Sequence, residues 1–313
     1  MEWVRSIDLP IGDWVEAIVN WILANLQPLL DAISAAIGFV STSLEDFLLW
    51  LHPFVLAAIL IAIGLWRVNW KFAVFVAVSL FVIMGMNLWE ETVSTMALVV
   101  AAAFVALVIG FPIGVAMAKN DTVEAVVRPV LDFMQTMPPF VYLIPAAMFF
   151  GLGKVPGTIA TVIFAMPPSV RLTNLGIRQV SHENVEAGLA FGCTDRQLLT
   201  KVQLPLALPS IMAGVNQTIM LALSMVVIAS MIGAGGLGNT VLTGIQRLNI
   251  GLGFEGGLGV VIVAILLDRL TQSIGHMGRG ESVFRKMVRV FRGQPSGAQA
   301  EGEAETKTTR TAS

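Results

Sequence analysis

The residues that invite a chemical reading lie in a polar, charge-bearing segment of an otherwise apolar chain. Glu186-Ala187-Gly188-Leu189-Ala190-Phe191-Gly192 is followed after nine residues by Val202-Gln203-Leu204-Pro205. Ser181 can cap a short helix whose apolar positions Val185, Leu189 and Gly192 fall three and four apart. Gly192 suits the left-handed position that ends such a helix. Thr194 and Gln197 have the spacing of a capping box and predict a second helix running to Pro205. Two short helices joined at a tight glycine turn make a compact knob, although local chemistry alone equally allows a solvated connector. A second polar patch, Asn216-Gln217-Thr218, sits inside an apolar run and serves either interhelix hydrogen bonds or contact with a solute. Other chemistries find no residues. The chain has no Gly-x-x-x-x-Gly-Lys-Ser/Thr phosphate loop, so it does not bind ATP itself. His52, His182 and His276 show no metal-ligand spacing, the single Cys193 excludes an internal disulfide, and no basic-aromatic patch suggests nucleic acid.

The elements that must position these residues are membrane spans. Hydrophobic residues make up 56% of 313 positions and charged ones 13%, which is about half the share usual in soluble proteins. Uncharged windows long enough to cross ~30 Å of hydrocarbon predict about seven spans. They run near 47–66, 72–89, 92–118, 133–152, 155–170, 207–237 and 256–273, the fifth kinked at Pro167-Pro168 and the seventh interrupted by Asp268-Arg269. Arg67 and Lys71, then Lys119 and Arg128, then Arg171, Arg178, Arg196 and Lys201, and finally Arg279 to Arg292 fall in alternate connections. The positive-inside rule therefore places the knob and the C-terminus in the cytoplasm and the N-terminus outside.

The flanks read differently. Val15, Ile18, Ile22, Leu26, Leu29, Ile33, Ile37 and Val40 recur at three- and four-residue steps opposite Glu16, Asn20, Gln27, Asp31 and Ser34. That pattern predicts an amphipathic helix in the interface or against the bundle, bent near Pro28. A buried spanning helix, which would reverse the N-terminus, is the alternative. The opening residues lack the basic-then-apolar order of a cleaved signal peptide. Val283, Phe284, Met287, Val288 and Phe291 predict a short basic helix on the anionic cytoplasmic leaflet, and the chain from Gly293 is expected to be disordered.

The spacing from Glu186 to Pro205 resembles the cytoplasmic loop of ABC importer permeases, Glu-Ala-Ala, three residues, Gly, nine residues, Ile-x-Leu-Pro. Gly188 stands for the second Ala and Val202 for Ile. Gln135-Thr-Met-Pro-Pro-Phe-Val-Tyr-Leu-Ile-Pro145, Phe164-Ala-Met-Pro-Pro-Ser-Val-Arg-Leu172, the run from Gly214 to Met231 and Leu266-Leu-Asp-Arg-Leu-Thr-Gln272 narrow the likeness. They resemble the permease subunit of glycine betaine/proline betaine (quaternary amine) importers, and the similarity covers about residues 45–275.

That resemblance implies an all-α polytopic membrane protein of the type I importer permease fold in a bacterial cytoplasmic membrane. It further implies a second permease copy, an ABC ATPase that binds the ATP and Mg, and an extracytoplasmic substrate-binding protein. In such a protein 1–44 is an extracytoplasmic region, 45–91 two peripheral spans, 92–273 the core with its coupling loop at 175–206, and 274–313 a cytoplasmic tail. Glu186 would offer its carboxylate to a basic group of the ATPase, with Ala187 and Gly188 permitting close approach. Gly192 would make the turn, and Leu204 and Pro205 would end the knob and orient the next span. Phe140 and Tyr142 are candidates to receive a quaternary ammonium by cation–π attraction, or are plain packing. Asn216 and Gln217 are the polar candidates along the same pathway. Ala102, Ala106, Gly110, Gly114 and Ala118 lie four apart, a face of small residues for close packing within the subunit or between two copies. An ion-gradient-driven carrier of the same solutes is the alternative, but the chain shows no mid-depth acidic residue and no obvious internal repeat.

Overall fold

The computed structural model describes residues 10–275, and among these there are helices and turns but no strand. In chain order the helices are α1 (Ile11–Asn25), α2 (Gln27–Trp50), α3 (Pro53–Arg67), α4 (Trp70–Gly85), α5 (Trp89–Lys119) and α6 (Asp121–Thr136). They continue as α7 (Pro139–Phe150), α8 (Lys154–Arg178), α9 (His182–Ala190), α10 (Asp195–Ser230), α11 (Gly236–Gln246) and α12 (Ile250–Gly275). The basic helix and polar tail expected beyond residue 275 lie outside the described residues.

Five helices, α2, α5, α8, α10 and α12, are long and apolar enough to cross a membrane, and the bent pair α6–α7 makes a sixth. The fold is thus all-α and polytopic, with boundaries that differ from the hydropathy windows for local reasons. α3 and α4, with 15 and 16 residues, rise only about 22–24 Å. Pro53 starts the first of them, and the Asn69 side chain caps the second by accepting from Phe72 N–H at 2.8 Å. The window 133–152 is not one helix. Pro138 and Pro139 stop α6 at Thr136, Met137 takes the extended ψ of 136° that a following proline demands, and α7 leaves at 100°. Pro167 and Pro168, by contrast, do not end α8, which continues eight residues past its expected end to Arg178. The sixth window ends early at Ser230, and α11 forms where only a loop was expected.

Packing explains why α8 tolerates two prolines. It is the central helix, with both prolines and Ala160, Thr161, Ala165 and Val170 buried between α5 and α10. On the α5 side, Ala102 and Ala106 are fully buried beside Val162. One turn on, a Cβ placed on Gly110 would come 2.3 Å from Ser169 Oγ, and one on Gly114 would come 2.7 Å from Thr173 Cβ and from Val170 O. The small-residue face, with the half-buried Ala118 at its end, therefore packs inside the subunit against α8. A larger cluster joins α3, α4, α5, α10 and α12 through Leu56, Leu80, Val93, Leu223, Val263 and Leu266.

The N-terminal region is two helices rather than one, broken at Leu26 with Pro28 in the first turn of α2. α2 is not a free amphipathic helix. Its Glu45 carboxylate is buried, with a side chain 9% exposed, and accepts from Lys154 Nζ at 2.5 and 2.6 Å. One turn back, Ser41 Oγ lies 3.4 Å from Thr158 Oγ1. This ion pair at the start of α8 gives α2 a fixed seat that hydrophobic periodicity alone could not reveal.

The α5–α8 contact yields a stability prediction. Gly114→Val should destabilise the subunit by about 1–3 kcal/mol through overpacking. Gly85→Ala, where a Cβ meets nothing within 4 Å, should leave the thermal midpoint in detergent nearly unchanged. Equal midpoints for both variants would contradict the packing described.

Candidate coupling site

The knob is built as its residue types dictate. α9 runs from His182 to Ala190, and Gly192 follows at φ +80°. Gly192 N–H donates to Leu189 O at 2.9 Å and Cys193 N–H to Gly188 O at 3.1 Å, which is the paired closure of a Schellman turn. Thr194 then opens α10. Gln197 N–H donates to Thr194 Oγ1, and Thr194 N–H donates to Gln197 Oε1, so the capping box is complete. Ser181 sits at the N-cap of α9, but its hydroxyl accepts from the Asn184 side chain instead of a backbone N–H.

Two features differ from the sequence expectation. First, Leu204 and Pro205 do not end a short helix, because α10 runs unbroken from Asp195 to Ser230. Pro205 has no N–H to return to Lys201 O, and residues 198–203 ahead of it adopt wide π-type turns, with Leu204 N–H donating to Leu199 O. The widened turns carry the helix past the proline. Second, Gly188 does not lie on the outer face that a partner could approach. It is buried, and a Cβ there would lie 2.8 Å from Leu198 Cδ1 and 3.6 Å from Val202 Cγ2. The missing methyl lets α9 fold down onto the first turns of α10.

The outward face of the knob is now defined. Glu186 is exposed and its Oε1 lies 3.0 Å from His182 Nδ1, one turn away. Leu189 is half-exposed, and Phe191 is 91% exposed immediately before the turn. An exposed aromatic ring at a hydrogen-bonded turn, on the same short segment as an exposed carboxylate, has the make-up of a docking surface. Sequence reasoning passed over Phe191; the signal available was an aromatic at the end of an otherwise polar segment.

The remaining candidates do not gather into one site. Tyr142 is buried with Leu143, Ala146, Ala160 and Met225, and its hydroxyl donates to Met134 O. That carbonyl is the one left without a helical donor by Pro138, so the phenol ties together the two halves of the broken span. Phe140 is half-exposed on the other side of the break. Asn216 and Gln217 lie nine and eight residues before Met225 on α10, roughly 12–14 Å from the level of Tyr142. Gln217 is exposed, whereas Asn216 Oδ1 and its neighbour Thr218 Oγ1 are buried without a hydrogen-bond partner. Arg171 and Arg178, read from the sequence only as markers of sidedness, instead make the densest polar contacts near the knob.

A bundle of apolar spans carrying a capped, glycine-turned knob is the architecture of a transporter's membrane subunit. Residues 106–275 match the family described as "Binding-protein-dependent transport system inner membrane component", and the chain belongs to that family. It is a permease subunit of an ABC importer. Among its relatives is the glycine betaine/carnitine transport permease protein GbuB of Listeria monocytogenes, 49% identical over 281 residues, covering 87% of this chain and 98% of that one. The glycine betaine/proline betaine transport system permease protein ProW of Escherichia coli is 46% identical over 272 residues, covering 87% and 77%. Among solved structures, a chain of the MetNI methionine ABC transporter in an inward-facing conformation aligns with a TM-score of 0.53 at 24% identity, covering 61% of this chain and 94% of that one. That likeness bears on the fold alone.

The turn provides its own test. Gly192→Ala forces an L-residue into the left-handed region and should cost about 1–2 kcal/mol locally. Hydrogen exchange should show faster opening of the amides of Gly192 and Cys193, with α8 unaffected. Unchanged exchange at these amides would contradict the turn assignment.

Proposed function

We propose that the chain forms the inward pathway for a quaternary amine of the glycine betaine, proline betaine or choline type, driven by ATP hydrolysed on a separate ABC ATPase. The observation that carries this reading is the 49% identity to a glycine betaine/carnitine permease along nearly that protein's whole length. The chain itself binds no nucleotide or metal; ATP and Mg belong to the partner ATPase. An extracytoplasmic binding protein delivers the solute, and two copies of the permease enclose the pathway. The ion-gradient-driven carrier draws no support from the relatives named above.

In this reading the knob faces the cytoplasm and the N-terminal region lies outside, as the distribution of Lys and Arg favours. The Glu45–Lys154 pair seats the C-terminal end of α2 beside the start of α8, at the end of the bundle opposite the knob. The knob docks on the ATPase through Glu186 and the exposed ring of Phe191, while the exposed Ala187 keeps its profile low. Phe140, Asn216 and Gln217 are the residues offered to the pathway, and Tyr142 supports Phe140 by holding α7 in place.

Glu186→Lys reverses the charge on the docking face without touching a buried group. In vesicles containing permease, ATPase and binding protein, the variant should still assemble but lose most betaine uptake. Phe191→Ala should weaken retention of the ATPase on the purified permease. Wild-type uptake by Glu186→Lys would remove the coupling role from this residue.

A further inference from the structure

Behind the knob, two arginines bolt α6 to α8. Arg178 is in the last turn of α8, three residues before Ser181. Its Nη2 donates to Asp121 Oδ1 at 2.6 Å and to Met117 O at 2.8 Å, and lies 3.0 Å from Glu124 Oε2. Its Nε donates to Asn174 Oδ1 at 3.0 Å, and the Asn174 amide donates onward to Glu124 Oε1 at 3.1 Å. One guanidinium thus joins the end of α5, the first turn of α6 and the end of α8. The placement is electrostatically consistent, because a cation meets the carbonyl end of α5 and the acidic first turn of α6.

Two helical turns earlier on α8, Arg171 does the same at the other end of α6. Its Nη2 donates to Asp132 Oδ1 and its Nη1 to Gln135 Oε1, both at 2.6 Å. Between the two arginines, Leu131, Met117 and Val170 are buried together, with Val123, Val127 and Met134 packed against them. Val123, Val127, Leu131 and Met134 are one face of α6 at four-, four- and three-residue steps. α6 is therefore fixed to the knob end of α8 along its whole length. The break in the helix lies just beyond, at Met137–Pro138, where the chain is extended and turns 100° into α7, which packs on Ala160 in the other half of α8.

We propose that Arg178 and Arg171 are positioning residues for coupled transport: they make α6 move with the knob end of α8, so that knob movement changes the angle between α6 and α7. This rests on the reading that the knob docks on an ATPase. It adds a second route to the one through α10. Displacing the knob would carry α8 and α6 together, and the break at Pro138 would convert that displacement into a tilt of α7, which presents Phe140. Tyr142, bonded to Met134 O across the break, limits how far the joint opens.

The test uses the reconstituted complex of permease, ATPase and binding protein, with the number of betaine molecules carried per ATP hydrolysed as readout. Arg178→Gln should lower that ratio by roughly two- to thirty-fold, the range seen for positions within coupling networks. The ATPase should still co-purify and hydrolyse ATP, and Arg178→Lys should restore part of the ratio. Arg171→Gln should act in the same direction, whereas Arg128→Gln, at an exposed position on α6, should leave the ratio unchanged. If Arg178→Gln does not assemble, the Asp121→Asn, Glu124→Gln double variant removes the partner carboxylates instead and is read the same way. A wild-type ratio, or parallel loss of hydrolysis and uptake, overturns the proposal while leaving the function intact. A wild-type permease that never retains an ATPase overturns both.

Discussion

The helix that leaves the knob does not stop where the span begins. α10 continues for 36 residues, about 54 Å, from the capping box at Thr194 to Ser230. That continuity constrains everything else. A knob on a flexible loop would absorb a push from outside the membrane, whereas one continuous with a span must pass it on. The π-type turns at 198–203 matter because they carry a helix past Pro205 that would otherwise lose a hydrogen bond. Gly188 matters because its missing side chain seats α9 against Leu198 on the same helix.

A push on the proposed coupling knob would be received by closely packed neighbours. α8 lies between α5 and α10 with few side-chain atoms at the contacts, since Gly110 and Gly114 on one side let backbone approach side chain within what a Cβ would occupy. Close-packed interiors do not deform smoothly, so displaced helices shift as bodies. The places that can yield are the ones the sequence has left without regular hydrogen bonds. Met137–Pro138 is such a place, and Pro167-Pro168 frees two carbonyls at the middle of α8 without breaking it.

Much of this was legible in the sequence because the signals are local. The capping box at Thr194 and Gln197, the left-handed Gly192 and the apolar windows each rest on chemistry within a few residues. Contacts between distant segments were not legible. Glu45 meets Lys154 across 109 positions, and Arg178 meets Asp121 across 57. Arg178 read only as a marker of sidedness, and Glu45, Lys154 and Asp121 carried no signal of their own until the fold supplied their partners. Prolines misled in both directions, because their effect depends on tertiary packing: Pro138 breaks a helix, whereas Pro167, Pro168 and Pro205 sit within helices held by their neighbours. Among the pathway candidates, Tyr142 was a possible cation–π partner, yet its ring is buried and its hydroxyl is committed to Met134 O.

Spin labels on Arg196 at the knob and Ser224 towards the opposite end of α10 would measure the central claim directly. A continuous helix sets the separation of their backbones at roughly 42 Å. In the complete complex, this distance should be the same without nucleotide and with ATP bound, while, with two permease copies as proposed, the distance between their residues 224 changes. A nucleotide-dependent change in the 196–224 distance itself would place a hinge at residues 198–203 and contradict the account.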